Sequence, residues 1–254
     1  MWDNAPLLRG IANALLAFSM AAVMYGALYY LVNLPGWFPL HSVQLSAAPE
    51  RADAGEVLQV VRNEVRGNFF TVDLERLRAA LEKLPWVRTA SIRRTFPDRL
   101  TVELEEHQAL ARWNGNALVN RQGEVFYASS TQVLPEFIGQ DGTAPELVES
   151  YAQFSRQLVP LNLQVTQLAL TPRHAWQLRL SNGIVLELGR EQLQQRLGTF
   201  VTVYPYSLAA LPASVVRASG GKGAAPAAAR QMQVKYVDLR YRNGFAVRLG
   251  RNDA

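Results

Sequence analysis

The chain has 254 residues, of which 49% are hydrophobic and 19% are charged. This balance excludes wholesale disorder and a collagen-like repeat, and the length allows a membrane segment with one or two folded domains. There are 26 Lys and Arg against 21 Asp and Glu, and Arg93-Arg94 is the only adjacent basic pair. Nucleic-acid binding is therefore not predicted. With no cysteine, disulfides and thiolate zinc sites are excluded.

The first long apolar segment runs from Ile11 to Leu34 and contains no charged residue. At 1.5 Å per residue a helix of this length crosses the ~30 Å hydrocarbon layer of a bilayer. Aromatic residues crowd its C-terminal end, as they do at membrane interfaces, and these are Tyr25, Tyr29, Tyr30, Trp37 and Phe38. Pro35-Gly36 predicts the end of the helix.

Two other interpretations of this segment are a cleaved signal peptide and a buried core helix. A signal peptide has a shorter apolar region, and the small residues at 46–48 are followed by Pro49. A core helix would carry a polar stripe. We therefore expect an uncleaved anchor at residues 11–34. Arg9 precedes it and the nearest basic residue beyond it is Arg51, which favours a short cytoplasmic tail over residues 1–10.

Residues 40–108 predict an α+β unit in the order strand, helix, helix, strand, strand, with both helices on one face of the sheet. Asp53 with Glu56 resembles a capping box, and Asp73 is a candidate N-cap. The predicted elements are a strand over 42–45, helices carrying the apolar residues of 57–65 and 74–84, and strands over 90–93 and 100–105.

Residues 109–254 predict a mostly antiparallel β-domain with flanking helices. The predicted strands lie within 118–126, 135–138, 165–170, 175–180, 184–188, 234–241 and 245–249, and the helices over 145–158 and 191–204. Asn-Gly pairs at 182–183 and 243–244 predict tight hairpin turns. The Ala- and Gly-rich residues 213–231 predict a flexible insertion.

No pattern for catalysis or metal binding is found, and neither a cofactor nor an enzyme is predicted. The three histidines, His41, His107 and His174, lie far apart in sequence and lack partners at ligand spacing. Glu103, Glu105 and Glu106 form an acidic cluster, in which Glu103 and Glu105 are explained by the solvent face of a strand. The glycine-rich residues 220–223 have no strand before them and no helix after them, so a phosphate loop is not predicted.

Several motifs occur in a fixed order along both soluble regions. They are Gly67-Asn68-Phe69-Phe70, Leu84-Pro85-Trp86-Val87, Phe96-Pro97, Trp176-Gln177-Leu178, Asn182-Gly183-Ile184, Leu188-Gly189-Arg190, Arg196-Leu197 and Tyr236-Val237-Asp238-Leu239-Arg240-Tyr241. Together they resemble the FtsQ/DivIB family of bacterial cell-division proteins. The resemblance implies a single POTRA domain at 40–108, a β-domain at 109–254, and a scaffold in the inner membrane that acts at the division septum from the periplasmic side.

The segment 234–241 is the candidate partner-binding element, because a strand near the C-terminus readily becomes a sheet edge that accepts a strand from another chain. Alternation places Tyr236, Asp238 and Arg240 on one side. Val237 and Leu239 share the other side with Tyr241, and we expect Val237 and Leu239 to be buried. The family resemblance implies that this end binds FtsB, which pairs with FtsL. The residues that match the family's binding patch are Arg173, Tyr236, Arg240, Tyr241 and Gly244.

Two further functions remain as alternatives. One is a POTRA-containing periplasmic chaperone or polypeptide-translocation component, although such proteins usually carry several POTRA units or a barrel. The other is a cell-wall hydrolase, which would require Glu103 or Glu105 for activity. The resemblance also implies that the POTRA sheet edge recruits other division proteins.

Overall fold

The structure is a computed structural model that describes residues 5–34, 38–208, 232–241 and 244–251. It divides into two compact units, Met1–His107 and Gln108–Ala254. Each unit encloses its own hydrophobic core. The predicted insertion at 213–231 lies outside the described residues, as do Pro35, Gly36 and Trp37.

The N-terminal helix α1 spans Ala5–Asn33, and its stretch Leu8–Val32 is long and apolar enough to cross a membrane. None of that stretch is buried inside the protein, so α1 is not a core helix. It begins six residues before the predicted apolar span. Pro6 lies in its first turn, where the missing N–H group breaks no hydrogen bond.

The rest of the first unit has the predicted order of strand, two helices and two strands. Its elements are β1 (Ser42–Leu45), α2 (Ala54–Glu64), α3 (Leu74–Leu81), β2 (Val87–Thr95) and β3 (Arg99–Glu106). The sheet order is β1-β3-β2, with β1 parallel and β2 antiparallel to β3. The α+β prediction for this unit is confirmed.

Sequence periodicity explains how the two helices cover this sheet. Val57 and Val61 of α2, and Leu77 and Leu81 of α3, are buried against sheet residues such as Leu100 in one core. The Asp53 carboxylate accepts a hydrogen bond from the N–H of Gly55, not from that of Glu56 as a capping box would require. The Asp73 side chain caps α3 by accepting from the N–H of Arg76, as predicted.

A buried amide joins the end of α1 to the loop before α3. The side chain of Asn68, which is 1% exposed, donates to the carbonyl oxygens of Val32 at 2.6 Å and Leu34 at 3.4 Å. Its Oδ1 accepts from the N–H groups of Phe70 and Thr71, each at 3.0 Å. The last carbonyls of a helix have no partner within the helix, so Asn68 satisfies groups that α1 leaves open.

The described residues of the second unit form one nine-stranded sheet. Its strands are β4 (Ala109–Trp113), β5 (Ala117–Asn120), β6 (Val125–Phe126), β7 (Glu136–Ile138), β8 (Val165–Leu170), β9 (Trp176–Leu180), β10 (Val185–Gly189), β11 (Met232–Asp238) and β12 (Ala246–Arg251). Their order across the sheet is β12-β11-β10-β9-β8-β7-β4-β5-β6. Five of the eight neighbouring pairs are antiparallel, which confirms the predicted mostly antiparallel β-domain.

Helices connect two of the three parallel pairs of neighbouring strands in this sheet. Helix α4 (Ala144–Leu158) lies between β7 and β8, and α5 (Leu193–Val203) lies between β10 and β11. Parallel neighbours need a crossover of a dozen or more residues, because the chain must return to the same end of the sheet. The two helices contact each other, and α4 packs near β8 while α5 packs near β10. This crossover brings β11 back beside β10.

We predict that Asn68→Ala loosens the loop at residues 67–72. The substitution removes the acceptor of two backbone N–H groups and the donor to two helix carbonyls, which should cost about 1–3 kcal/mol of local stability. Hydrogen exchange of the full chain in detergent should show faster exchange at Phe70 and Thr71. The exposed Asn63→Ala is the matched control and should leave these amides unchanged. Equal exchange in both variants would contradict the prediction.

Candidate partner-binding site

Among the described residues, the larger sheet has β12 and β6 as its edge strands, and the predicted edge segment 234–241 is not one of them. Strand β11 pairs with β10 on one side, from Tyr236 to Asp238, and with β12 on the other. The prediction that this segment forms the open edge is therefore wrong. The crossover through α5 places β11 inside the sheet, and the hairpin then places β12 outside it. Among the described residues, no strand pairs with the outer side of β12.

Arginine side chains gather around a cavity of about 390 Å³ in this unit. The residues that line it are Arg173, Ala175, Gly189, Arg190, Glu191, Arg196 and Arg240. Four cations therefore face one carboxylate, and the cavity carries an excess of positive charge. The structure brings together Arg173 and Arg240, two residues that the sequence analysis singled out from distant segments.

Arg240 is held by the buried carboxylate of Asp238, which is 6% exposed. Its Nε and Nη2 donate to Oδ1 at 2.9 Å and to Oδ2 at 2.7 Å, and its backbone N–H donates to Oδ1 at 3.1 Å. These bonds from Arg240 hold the pKa of Asp238 below its ordinary value, although burial opposes the shift. The same pair raises the pKa of Arg240. Such a two-point contact fixes the direction of the guanidinium.

Gly189 allows two arginines to approach the backbone. Its φ of +78° is strained for other residues, and it follows a register shift between β9 and β10. A Cβ built at Gly189 would lie 2.8 Å from Nη1 of Arg196 and 3.1 Å from Cγ of Arg240. Arg196 comes from the first turn of α5 and donates Nη1 to the carbonyl oxygen of Leu188. The absence of a side chain at Gly189 thus opens the floor of the cavity.

The remaining predicted site residues lie along the β11–β12 hairpin. Tyr236 is paired with Arg248 of β12, whose guanidinium lies 5.5 Å from the centre of the Tyr236 ring. Burial is the largest cause of the raised pKa of Tyr236, and the negative charges of Glu187 and Asp238 raise it further. Tyr241 lies beyond the end of β11 and is 60% exposed, so it is not part of the core.

Burial along the hairpin separates its core residues from its turn. Val237 and Leu239 are buried, as alternation predicted. Gly244 is exposed, and a Cβ there would meet nothing within 4 Å. The turn residue Asn243 lies outside the described part of the chain.

Several of the side chains considered for catalysis have structural partners. His41 pairs with Asp98 at 3.0 Å. Glu105 binds Arg88 at 2.7 Å, and Glu106 accepts the backbone N–H of Ala52 at 2.9 Å. In the ranges that the structure describes, no group of three or more His, Asp or Glu is placed to hold a metal ion.

The sequence did not reveal three charged members of the cavity or its supporting carboxylate. Arg190, Glu191 and Arg196 lie in or beside the motifs Leu188-Gly189-Arg190 and Arg196-Leu197, which were used only for the family resemblance. Asp238 was assigned to the same side as Arg240, and that alternation could have suggested their pairing.

Comparison with protein families agrees with this architecture. The family model "POTRA domain, FtsQ-type" matches residues 38–107, and "Cell division protein FtsQ/DivIB, C-terminal" matches residues 111–240. The chain belongs to the FtsQ/DivIB family. It is therefore a cell-division protein of the FtsQ type, and this family is not known as a family of enzymes.

Similarity to individual family members extends over nearly the whole chain. The chain is 40% identical to the cell division protein FtsQ of Nitrosospira multiformis, over 98% of this chain and 99% of that protein. It is 36% identical to that of Burkholderia pseudomallei, over 98% and 94%. For the Vibrio cholerae protein the identity is 34%, over 91% and 84%. The apolar helix α1 and this membership together indicate a membrane-anchored division protein.

We predict that the Asp238–Arg240 pair stabilises the second unit only above acidic pH. The pKa of Asp238 is lowered in the folded state, so the stabilisation is fully present above the unfolded-state pKa of about 3.9 and is lost as the pH falls through the folded-state pKa. At pH 7, Asp238→Asn should cost about 1 kcal/mol, because Arg240 is partly exposed. Thermal unfolding measured from pH 7 to pH 3 should show the stability difference between Asp238→Asn and the parent chain becoming smaller as the pH falls.

Asp141→Asn is the matched control for this pH series, because Asp141 is exposed in a turn of the same unit. It should differ little from the parent chain at every pH. A stability difference for Asp238→Asn that stays constant down to pH 3 would contradict the assignment.

Proposed function

We propose that this FtsQ-type protein is a scaffold that holds the FtsB/FtsL pair by strand addition along β12 and so links early and late division proteins. The observation that carries this proposal is the unpaired outer side of β12, at the C-terminal edge of the described sheet. A strand with an unpaired side presents N–H and C=O groups to an incoming strand, which then gains backbone hydrogen bonds along its length. The proposed mode of binding is still strand addition, but the strand that accepts the partner is β12 instead of β11.

The arginine cavity supplies side-chain recognition beside this edge. Arg240 follows β11 by two residues, and Asp238 pairs with Ala246, the first residue of β12. The cavity therefore adjoins the end of the hairpin at which a guest strand on β12 would begin or end. Its positive charge favours acidic side chains on the guest segment, and its arginines can bind carboxylates at two points. Tyr241, exposed near the turn, adds the aromatic surface that interface centres favour.

The POTRA sheet offers a second docking edge. In the order β1-β3-β2, strand β2 pairs only with β3 within the described residues, and it is nine residues long. We propose that this edge contacts another division protein. In the cell, residues 1–10 form a cytoplasmic tail, α1 crosses the inner membrane, and both folded units lie in the periplasm at the septum. Arg9 before the span supports this orientation.

Hydrogen exchange tests strand addition directly. We expect the amides of β12 that face away from β11 to exchange rapidly in the free protein and to become protected when purified FtsB/FtsL is added. The opposite edge strand β6, which within the described part of the chain pairs only with β5, is the internal control and should not change. Protection confined to β6 or β2, or no protection of β12 at saturating partner, would overturn the proposal.

Charge reversal tests the arginine cavity. Arg173→Glu combined with Arg240→Glu should weaken capture of FtsB/FtsL by at least about tenfold, which corresponds to about 1.4 kcal/mol. Arg179→Glu is the matched control, since Arg179 is exposed on β9 of the same sheet and does not line the cavity. The effect should shrink as salt is raised, because the contacts are charged. Equal affinities for the two variants would argue against recognition by the cavity.

A further inference from the structure

A group of phenylalanine rings lies on the POTRA unit beside the end of α1. Phe38, Phe70 and Phe96 are 43%, 46% and 77% exposed, and we call these three residues the phenylalanine patch. The buried Phe69 connects them, with ring centres 5.2 Å from Phe70 and 6.4 Å from Phe96. The rings of Phe38 and Phe70 meet edge to face at 5.1 Å. Single exposed apolar side chains are ordinary, but a contiguous aromatic group marks an interaction surface.

Hydrogen bonds fix the patch at the C-terminal end of α1. Asn68, which precedes Phe69 and Phe70, donates to the carbonyls of Val32 and Leu34 at this helix end. The N–H of Phe69 donates to the carbonyl of Phe38 at 3.0 Å. The patch is therefore tied to the point at which α1 ends. If α1 crosses a bilayer, the patch lies at the level of the bilayer surface.

The loop that carries the patch is held in one conformation. The Arg94 guanidinium donates to the carbonyls of Phe69 at 2.9 Å and Val72 at 2.8 Å. Phe38 has a φ of +59°, a backbone region that residues other than glycine seldom adopt. Outliers of this kind persist where the surroundings enforce them, and they are frequent at functional surfaces. The backbone thus keeps an apolar ring at a position where it remains partly open to solvent.

We infer that the phenylalanine patch inserts into the interfacial zone of the bilayer that α1 crosses, so that the POTRA unit rests on the membrane surface. Aromatic rings favour this zone, where the acyl chains meet the headgroups. The exposed Arg66, next to the loop, is placed to meet anionic headgroups. We assign membrane lipid as the partner of the phenylalanine patch because the patch adjoins the end of the apolar span. This inference rests on the proposed anchoring of α1.

Site-specific quenching in proteoliposomes tests the inference on the full chain. Because the chain contains no cysteine, the variants Phe70→Cys, Phe96→Cys, Lys83→Cys and Ala17→Cys each carry one fluorophore. Vesicles of phosphatidylethanolamine and phosphatidylglycerol carry a nitroxide either on the headgroup or near the bilayer centre. Lys83 is the exposed control, because it precedes β2 whereas Phe96 follows it, at least roughly 25 Å away along the strand. Ala17 lies within the apolar stretch of α1.

We expect headgroup nitroxide to quench positions 70 and 96 several-fold more than position 83. Adding Phe70→Asp to the Phe96→Cys variant should reduce the quenching at position 96. The nitroxide near the bilayer centre should quench position 17, which reports the anchoring of α1 separately. If position 17 is not quenched, the proposed anchoring fails and the inference fails with it.

If position 17 is quenched while positions 70, 96 and 83 respond alike, only the patch inference is overturned. Efficient disulfide formation between copies through Phe96→Cys, without lipid quenching, would also overturn it. That result would show that a second copy of the chain covers the patch.

Discussion

The parallel pairing of β10 with β11 is the constraint on which the proposed binding surface depends. The chain leaves β10, crosses over through α5 and returns in the same direction, with Tyr236 opposite Val185. The N–H of Leu239 donates to the carbonyl of Glu187 at 2.9 Å and extends this pairing past the end of β11. A parallel return places β11 beside β10, so the hairpin that follows must put β12 on the outside. The identity of the free strand is thus a result of connectivity.

The same crossover assembles the positive cavity. Arg196 enters it from α5, Arg190 from the end of β10, and Arg240 from the residues after β11, because the crossover begins and ends beside these strands. Mutual repulsion among the arginines would disfavour the cluster if it were left uncompensated. Asp238 lies next to it as a buried carboxylate that accepts three bonds from Arg240. One guanidinium is thereby neutralised and fixed, while Arg173, Arg190 and Arg196 leave the cavity positively charged.

Fold class and most elements could be predicted from sequence because they depend on local patterns. Helix α3 followed from its leucine spacing and from the Asp73 cap, and β8, β9 and β10 followed from alternation and the Asn-Gly turn. The burial of Val237 and Leu239 also followed from alternation. The strand order could not be predicted in this way, because hairpin and alternation signals are identical for an inner strand and an edge strand. The role of Asn68 was equally invisible, since its partners, Val32 and Leu34, lie more than thirty residues away along the chain.

The sequence by itself determined an apolar helix, an α+β unit followed by a mostly antiparallel β-domain, and the family to which the chain belongs. These follow from periodicity, turn chemistry and motif order, all of which are properties of neighbouring residues. Only the tertiary structure decided that β12 is an edge strand of the described sheet, that Arg173 and Arg240 line one cavity, and that Asn68 ties the end of α1 to the POTRA loop. Each of these depends on which distant segments pair. Which segments pair depends on the burial of the whole core and on the satisfaction of backbone hydrogen bonds across it.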